Sequence, residues 1–254
     1  MCLIAWNWQP GSALPLLVLA NRDEWYARPA LALHAWPCGQ VLAGKDAQAG
    51  GTWLGLGRGQ GQGSQARFAA ITNFREPATA RSDAPTRGTL VPDFLRSGGS
   101  AAEFLERLQA HASRYNPFNL LLFDGTALLG FESHSGRTLL LAPGIGAVSN
   151  AGFNTPWPKL QRLSQNVQAH AHLSDPDPKQ LLDLLEHRVL ATDDELPATG
   201  IPLELERALS PIFIQTPDYG TRASSVVLVR EQGAEIVEKT FDAQGATGLR
   251  GLEL

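Results

Sequence analysis

A cysteine stands directly behind the initiator methionine, at the head of the apolar run MCLIAWNW. A cysteine exposed at an amino terminus is chemically special. Its α-amino group, with an ordinary pKa of about 7.7–8.0, can take the thiol proton, so one residue supplies both nucleophile and base. Loss of Met1 is the precondition, and the small second side chain permits it. The competing reading of Cys2 is a small apolar residue that opens a buried strand. Cys38, between Pro37 and Gly39, has no comparable surroundings.

Polar residues recur where apolar segments hand over to loops. Asn21, Arg22, Asp23 and Glu24 follow one apolar segment, Asn73 follows FAAIT, Asn150 follows GAVS, and Arg222 precedes ASSVVLV. Asparagine side-chain N–H groups can donate to an oxyanion. A carboxylate can hold an α-ammonium group, and an arginine can fix a substrate carboxylate. Trp53 and Trp157 lie beside these motifs as candidates for a pocket wall, whereas most of the tryptophans read as core.

The elements that must position these residues alternate in kind. Residues 3–8 and 16–20 read as a hairpin around Gln9-Pro10-Gly11-Ser12, which sets Cys2 opposite residues 21 and 22. Strands are predicted at 41–43, 51–56 and 67–72. The glycine-rich GLGRGQGQGSQ between the last two fits no phosphate-loop spacing and reads as a hairpin loop. A helix is predicted at 89–96, and a second starts at the capping box Ser100/Glu103 and runs to 114. Strands follow at 118–123, 127–131, 138–141 and 147–149. A helical stretch over 158–188 is split by SDPDP, a short helix lies at 203–209, and a hairpin joins 224–230 to 235–241. This order predicts an α+β protein whose sheets and helices occupy separate layers, with residues 1–254 as one domain.

Composition narrows the function. A net charge of −4 and scattered arginines leave no basic face for nucleic acid. Two cysteines make neither a disulfide framework nor a zinc site, so no metal is expected and the chain reads as cytoplasmic. No secretory signal precedes the first strand, and the longest apolar run, at 14–20, is too short to span a bilayer. A small-molecule ligand or substrate is therefore the expected partner.

Five motifs occur in order along the chain: NRDE at 21–24, GGTWLG at 50–55, TNFRE at 72–76, SNAGFNTPWPK at 149–159 and YGTRASSVVLV at 219–229. Together they resemble the NRDE family, also called the transport and Golgi organisation protein 2 family, over essentially the whole chain. That family in turn resembles the N-terminal nucleophile hydrolases, particularly the choloylglycine hydrolase and penicillin acylase branch. The resemblance implies a four-layer αββα sandwich, with two mainly antiparallel sheets between helical layers. It implies Cys2 as nucleophile, Asp23 near the amine, Asn73 and Asn150 near the oxyanion, and Arg222 as the late arginine. Asn21, Arg22, Glu24, Trp53 and Trp157 would then meet the substrate. The activity implied is that of a cysteine amidohydrolase or acyl-transfer enzyme, acting on a non-peptide amide or a thioester of a small hydrophobic metabolite. No cofactor is required.

The chain departs from that branch at Ala20, where the branch carries an arginine three residues before its aspartate. Here Arg22 adjoins the aspartate instead, so the substrate side differs. Links of the family to haem movement and to lipid or acyl-CoA metabolism imply an alternative: a binding and trafficking protein for haem or an acyl-lipid. Iron would then be held by Cys2 or by one of the six histidines, His34, His111, His134, His170, His172 and His187. No Cys-x-x-Cys-His motif marks one of them, and His170 and His172 are two apart on a predicted helix, hence on different faces.

Overall fold

The first strand, β1 (Cys2–Trp8), is buried along its whole length, which is why its sequence runs apolar without alternation. Ile4, Trp6 and Trp8 belong to one core, and Leu3 and Ala5 to another. A strand with two covered faces requires layers on both sides.

The computed structural model describes residues 2–59, 65–76 and 81–254, and in it those layers are present. After β1 come β2 (Leu16–Trp25), β3 (Ala30–Ala35), β4 (Val41–Asp46), β5 (Leu54–Arg58) and β6 (Ala66–Asn73). Helices α1 (Leu90–Arg96) and α2 (Ala101–Gln109) follow, then β7 (Phe118–Phe123), β8 (Leu128–Glu132), β9 (Arg137–Leu140) and β10 (Gly144–Val148). The chain continues through α3 (Pro158–His170), α4 (Pro178–Asp183) and α5 (Leu203–Ala208) to β11 (Tyr219–Arg230), β12 (Gly233–Asp242) and β13 (Gly245–Glu253). Six strands form one sheet in the order β10-β1-β2-β11-β12-β13, and seven form another in the order β3 to β9. All the pairings are antiparallel.

Side chains of both sheets share the core between them, including Trp6, Val18, Leu54 and Phe68. The outer face of the six-stranded sheet packs with α3 and α4 through Leu160, Leu163 and Leu181, and that of the seven-stranded sheet packs with α1 and α2 through Phe94 and Leu105. The protein is therefore α+β, with helical layers on the outside of two facing antiparallel sheets.

Most predicted elements are present, and the differences have local causes. Strand β2 extends through Asn21–Glu24 to Trp25, because β11 starts at Tyr219 and supplies partners that far. Helix α2 keeps its capping box but ends at Gln109, before a separate 3-10 turn at Ala112–Arg114. Strands β3 and β13 were not expected. Both are largely exposed edge strands poor in the β-branched residues that mark a strand: β3 reads ALALHA, and β13 reads GATGLRGLE, broken by glycines. The centre of the glycine-rich loop, residues 60–64, lies outside the described residues, as do Met1 and residues 77–80.

Two buried polar side chains tie the layers together. Asn21 donates to the carbonyls of Leu185 and Ile212, each at 2.9 Å, and accepts from the Ser224 hydroxyl at 2.6 Å. Its amide thereby clasps the segment after α4, and the stretch before β11, to the sheet. At the far edge Glu238 of β12 accepts the Leu33 N–H of β3 at 2.7 Å, while Arg250 of β13 donates to the Leu33 carbonyl at 3.2 Å. The two sheets are thus joined through one residue's backbone.

Replacing Asn21 by Ala leaves two carbonyls and a hydroxyl buried without a partner, so a loss of about 2–4 kcal/mol is expected. Urea unfolding measures it, as a lower midpoint at unchanged slope. Glu238 carries a pH signature. Burial raises its carboxyl from 4.5 to about 7, against the opposing pull of the Leu33 N–H, Arg22 and Arg250. The native state then binds more protons than the unfolded chain between those two values. Stability should accordingly fall as pH rises through that window and stay lower above it. Relative to Glu238→Gln, wild type should lose on the order of 3 kcal/mol between pH 4.5 and pH 8 in parallel urea titrations.

Candidate active site

Pairing at the centre of the six-stranded sheet builds the site. Cys2 pairs with Arg22, Thr221 with Asp23 and Ala223 with Arg22. The ladder shifts between Thr221 and Ala223, which makes Arg222 the extra residue of a bulge and re-aims its side chain. Its Nη1 donates to the carbonyls of Trp25 (2.9 Å), Tyr26 (2.9 Å) and Arg28 (3.1 Å), and its Nε donates to that of Phe241 (3.1 Å). Arg222 therefore fastens the turn that leaves β2.

Along β2, side chains alternate between two destinations. Arg22 and Glu24 point to a cleft at the end of the sandwich, where Arg22 Nη2 lies 3.7 Å from Glu24 and 3.8 Å from Asp46. Arg28 holds Asp46 through Nε at 2.9 Å and Nη2 at 2.8 Å. Asn21 takes the other direction, toward the helices. Asp23 is buried beside it and accepts the Thr221 hydroxyl at 2.8 Å, while the Tyr219 hydroxyl donates to the Asp23 carbonyl at 3.0 Å.

Behind Asp23 lies an enclosed ionic cluster that the sequence did not suggest. Lys159, at the start of α3, is 2% exposed, and its Nζ donates to the Leu209 carbonyl at 3.2 Å. Burial pushes its ammonium down to about 8, with Asp23 the strongest neighbour favouring the charge. Burial also raises the Asp23 carboxyl, opposed first by Lys159. Arg75 pairs with Glu206 at 2.7 Å and lies 4.9 Å over the ring of Trp157. Removing one member of such a buried pair strands the other charge, typically at a cost of about 3–5 kcal/mol.

On the opposite rim Asn73 ends β6 with its side chain exposed to the cleft. Asn150 Nδ2 donates to the Asn73 carbonyl at 2.8 Å, and the Ser149 hydroxyl donates to the Cys2 carbonyl at 2.8 Å. Asn119 reinforces the join by donating to the Ala151 carbonyl at 2.8 Å. These bonds lock the Cys2 strand of one sheet to the Asn73 strand of the other.

The cleft encloses about 610 Å³. Of the residues singled out in the sequence, Cys2, Arg22, Asp23, Glu24, Trp53, Asn73 and Arg222 line it, whereas Asn21, Asn150 and Trp157 do not. Cys2 is buried, and with Met1 in place burial pushes its thiol up to about 11. Arg87 also lines the cleft, and nothing in the sequence marked it. It is held there by a close backbone crossing in which the Thr52 N–H donates to the Gly88 carbonyl at 2.9 Å. A Cβ on Gly51 would stand 2.3 Å from the Gly88 carbonyl carbon, so the GGTWLG glycine is what lets the Arg87 turn approach. Among the described residues no group of His, Cys, Asp and Glu side chains is arranged to hold a metal ion.

Comparison with known proteins places this architecture. The Transport and Golgi organisation 2 family model matches residues 1–243. The Transport and Golgi organization protein 2 homolog of Bos taurus is 34% identical over 259 residues, covering 92% of this chain and 90% of the relative. The homolog of Homo sapiens is 29% identical, with the same coverage. Transport and Golgi organization protein 2 of Drosophila melanogaster is 30% identical, covering 95% of this chain and 92% of its own. No described helix is long and apolar enough to cross a membrane. A cleft built from the NRDE string, the GGTWLG crossing and the bulge in YGTRASSVVLV, together with a match over nearly all its length, makes this chain a member of the Transport and Golgi organisation 2 family.

Proposed function

We propose that this protein is a cysteine-nucleophile amidohydrolase or acyl-transfer enzyme, acting on an amide or thioester of a small metabolite. One observation carries the reading: Cys2 heads a central strand and lines the cleft, with the buried carboxylate of Asp23 next to its strand partner Arg22. An N-terminal nucleophile needs that arrangement.

With Met1 removed, the α-amino group of Cys2 takes the thiol proton and Sγ attacks the carbonyl carbon. The oxyanion accepts from the Asn73 side chain, whose backbone Asn150 holds in place. Collapse of the tetrahedral intermediate passes the proton to the leaving nitrogen or sulfur and leaves a thioester on Cys2. Water, deprotonated by the same amine, releases the acid and restores the thiol. Asp23 holds the ammonium form of the amine, Arg222 keeps the cleft mouth in shape, and Arg22, Glu24 and Trp53 contact the substrate. No cofactor enters these steps. Both cysteines are free thiols, which suits the cytoplasm.

Intact mass of protein carrying no N-terminal tag, before and after a thiol-acylating probe, tests the mechanism. Loss of Met1 and a single rapid adduct that Cys2→Ala abolishes are expected. Retained Met1, with Cys2 reacting more slowly than the exposed Cys38, would overturn it.

The second reading, a haem or acyl-lipid binding and trafficking protein, is supported by a buried Cys2 that lines the cleft. To hold iron there its thiol must give up a proton that burial favours keeping. Among the described residues no histidine lines the cleft, so Cys2 is the residue that would meet iron there. Under this reading a haem titration at micromolar protein gives a Soret shift that Cys2→Ala removes. An unchanged Soret band would dismiss haem as the ligand.

A further inference from the structure

The cleft's charge is at odds with that of the whole chain. The protein carries a net −4, yet Arg22, Arg28, Lys45, Arg81, Arg87 and Arg222 all line this one cavity. Its carboxylates are Asp23, Glu24, Asp46 and Glu238. Asp46 is taken by Arg28, and Asp23 faces the buried Lys159. Glu238 is held by the Leu33 N–H at the far edge. Among the described residues, Lys45, Arg81, Arg87 and Arg222 form no ion pair. Cations collected in a recess raise the local concentration of anions.

Of these, Arg87 is the one built for a ligand. Arg222 spends its guanidinium on four carbonyls, and Arg81 donates to those of Ser113 and Arg114. Among the described residues Arg87 makes a single long bond, Nη1 to the Pro117 carbonyl at 3.3 Å, which leaves most of its donors for a ligand in the cleft it lines. Its backbone is fixed on both sides. The Thr86 hydroxyl caps the Gly88 N–H at 3.3 Å, and the Gly51–Gly88 crossing pins the turn against the seven-stranded sheet. Burial lowers its pKa, and an ionised Cys2 is the strongest of the neighbours favouring its charge. Such a guanidinium, pre-positioned and short of acceptors, matches the planar oxygens of a carboxylate or the oxygens of a phosphate.

We propose that Arg87 is an anion seat in the cleft that Cys2 lines, and that the molecule acted on at Cys2 carries a carboxylate or phosphate group that docks there. This rests on the reading of Cys2 as the reactive residue and adds the chemical class of its substrate. Arg87 is a binding residue in this scheme. It fixes the anionic end so that the amide or thioester carbonyl comes to Sγ, a role in which the forked guanidinium is not replaced by the point charge of a lysine without loss.

Two measurements test the seat, both in a Cys38→Ala background that leaves Cys2 as the sole thiol. The first compares alkylation of Cys2 by iodoacetate, an anion, with alkylation by neutral iodoacetamide. The rate ratio should exceed that of free cysteine by about tenfold, on the scale of local anion enrichment by a charged cleft. It should fall to the free-cysteine value in Arg87→Gln and recover in part in Arg87→Lys. The second follows thermal unfolding in succinate, inorganic phosphate or pyrophosphate at matched ionic strength. At least one should raise Tm in wild type, and Arg87→Gln should lose the rise. A rise with succinate alone identifies a carboxylate seat, and a rise with the phosphates alone a phosphate seat. Equal ratios in wild type and Arg87→Gln overturn the proposal, as does the absence of a Tm rise with every anion. Should Cys2 resist both reagents, the nucleophile reading falls by itself, and the Tm series still decides the seat.

Discussion

Strand β2 has no free side. It is paired along both edges, by β1 and by β11, and covered on both faces, so every side chain from Leu16 to Glu24 must go either between the sheets or toward the helices. The rest of the molecule is organised around that constraint. Positions in register with Ile4 and Trp6 fill the core between the sheets, and at the strand's end the same face delivers Arg22 and Glu24 to the cleft. The other face carries Leu17 and Leu19 and then Asn21. One short string of polar residues thereby serves two layers, and the partition is set by the twofold period of the backbone.

The polar groups that a buried sheet end would otherwise leave stranded are taken up by each other. Asn21 satisfies carbonyls of the 3-10 turn after α4 and of the bend before β11, Arg222 does the same for the turn after β2, and Asn150 for the end of β6. Their bonds are directional and enclosed, so they fix where the irregular chain runs as well as holding it. The cleft owes its shape to this arrangement, since its walls are loops and strand ends. Lys159 and the Arg75–Glu206 pair extend the same scheme below Asp23, in a region where solvent screening is weak.

How much of this was legible in the sequence follows from how local each determinant is. The β1–β2 register was readable to within a residue, because the Pro-Gly turn and the two apolar runs fix it between them. The start of α2 was readable from Ser100 and Glu103, and the division of α3 from α4 from the prolines of SDPDP. Edge strands β3 and β13 were not, since an edge gains its pairing from a neighbour and does not need an apolar face. Cys2 and the NRDE string could be singled out by residue type. The different directions of Asn21 and Arg22 required the parity of β2, and a strand that is apolar on both faces, with Leu17 and Leu19 on one and Val18 and Ala20 on the other, does not reveal which face meets the helices. Arg87 left no such trace. Its place depends on two glycines, Gly51 and Gly88, that are distant in sequence and meet only once the seven-stranded sheet has packed against α1.

The parity of β2 bears on how this family can diverge. Insertions in the Gln9–Ser12 turn lengthen a loop and leave both faces as they are. A single residue gained or lost within the strand would exchange the two sets, driving Arg22 and Glu24 in among the helices and opening Asn21 to the cleft. Lineages should therefore vary freely in the turn while holding the strand's length fixed, and the four polar letters should be inherited as a block whose spacing is conserved even where individual letters drift. Counting residues between the turn and the bulge partner would then separate relatives that keep this cleft from those that have remodelled it, before any substrate is known.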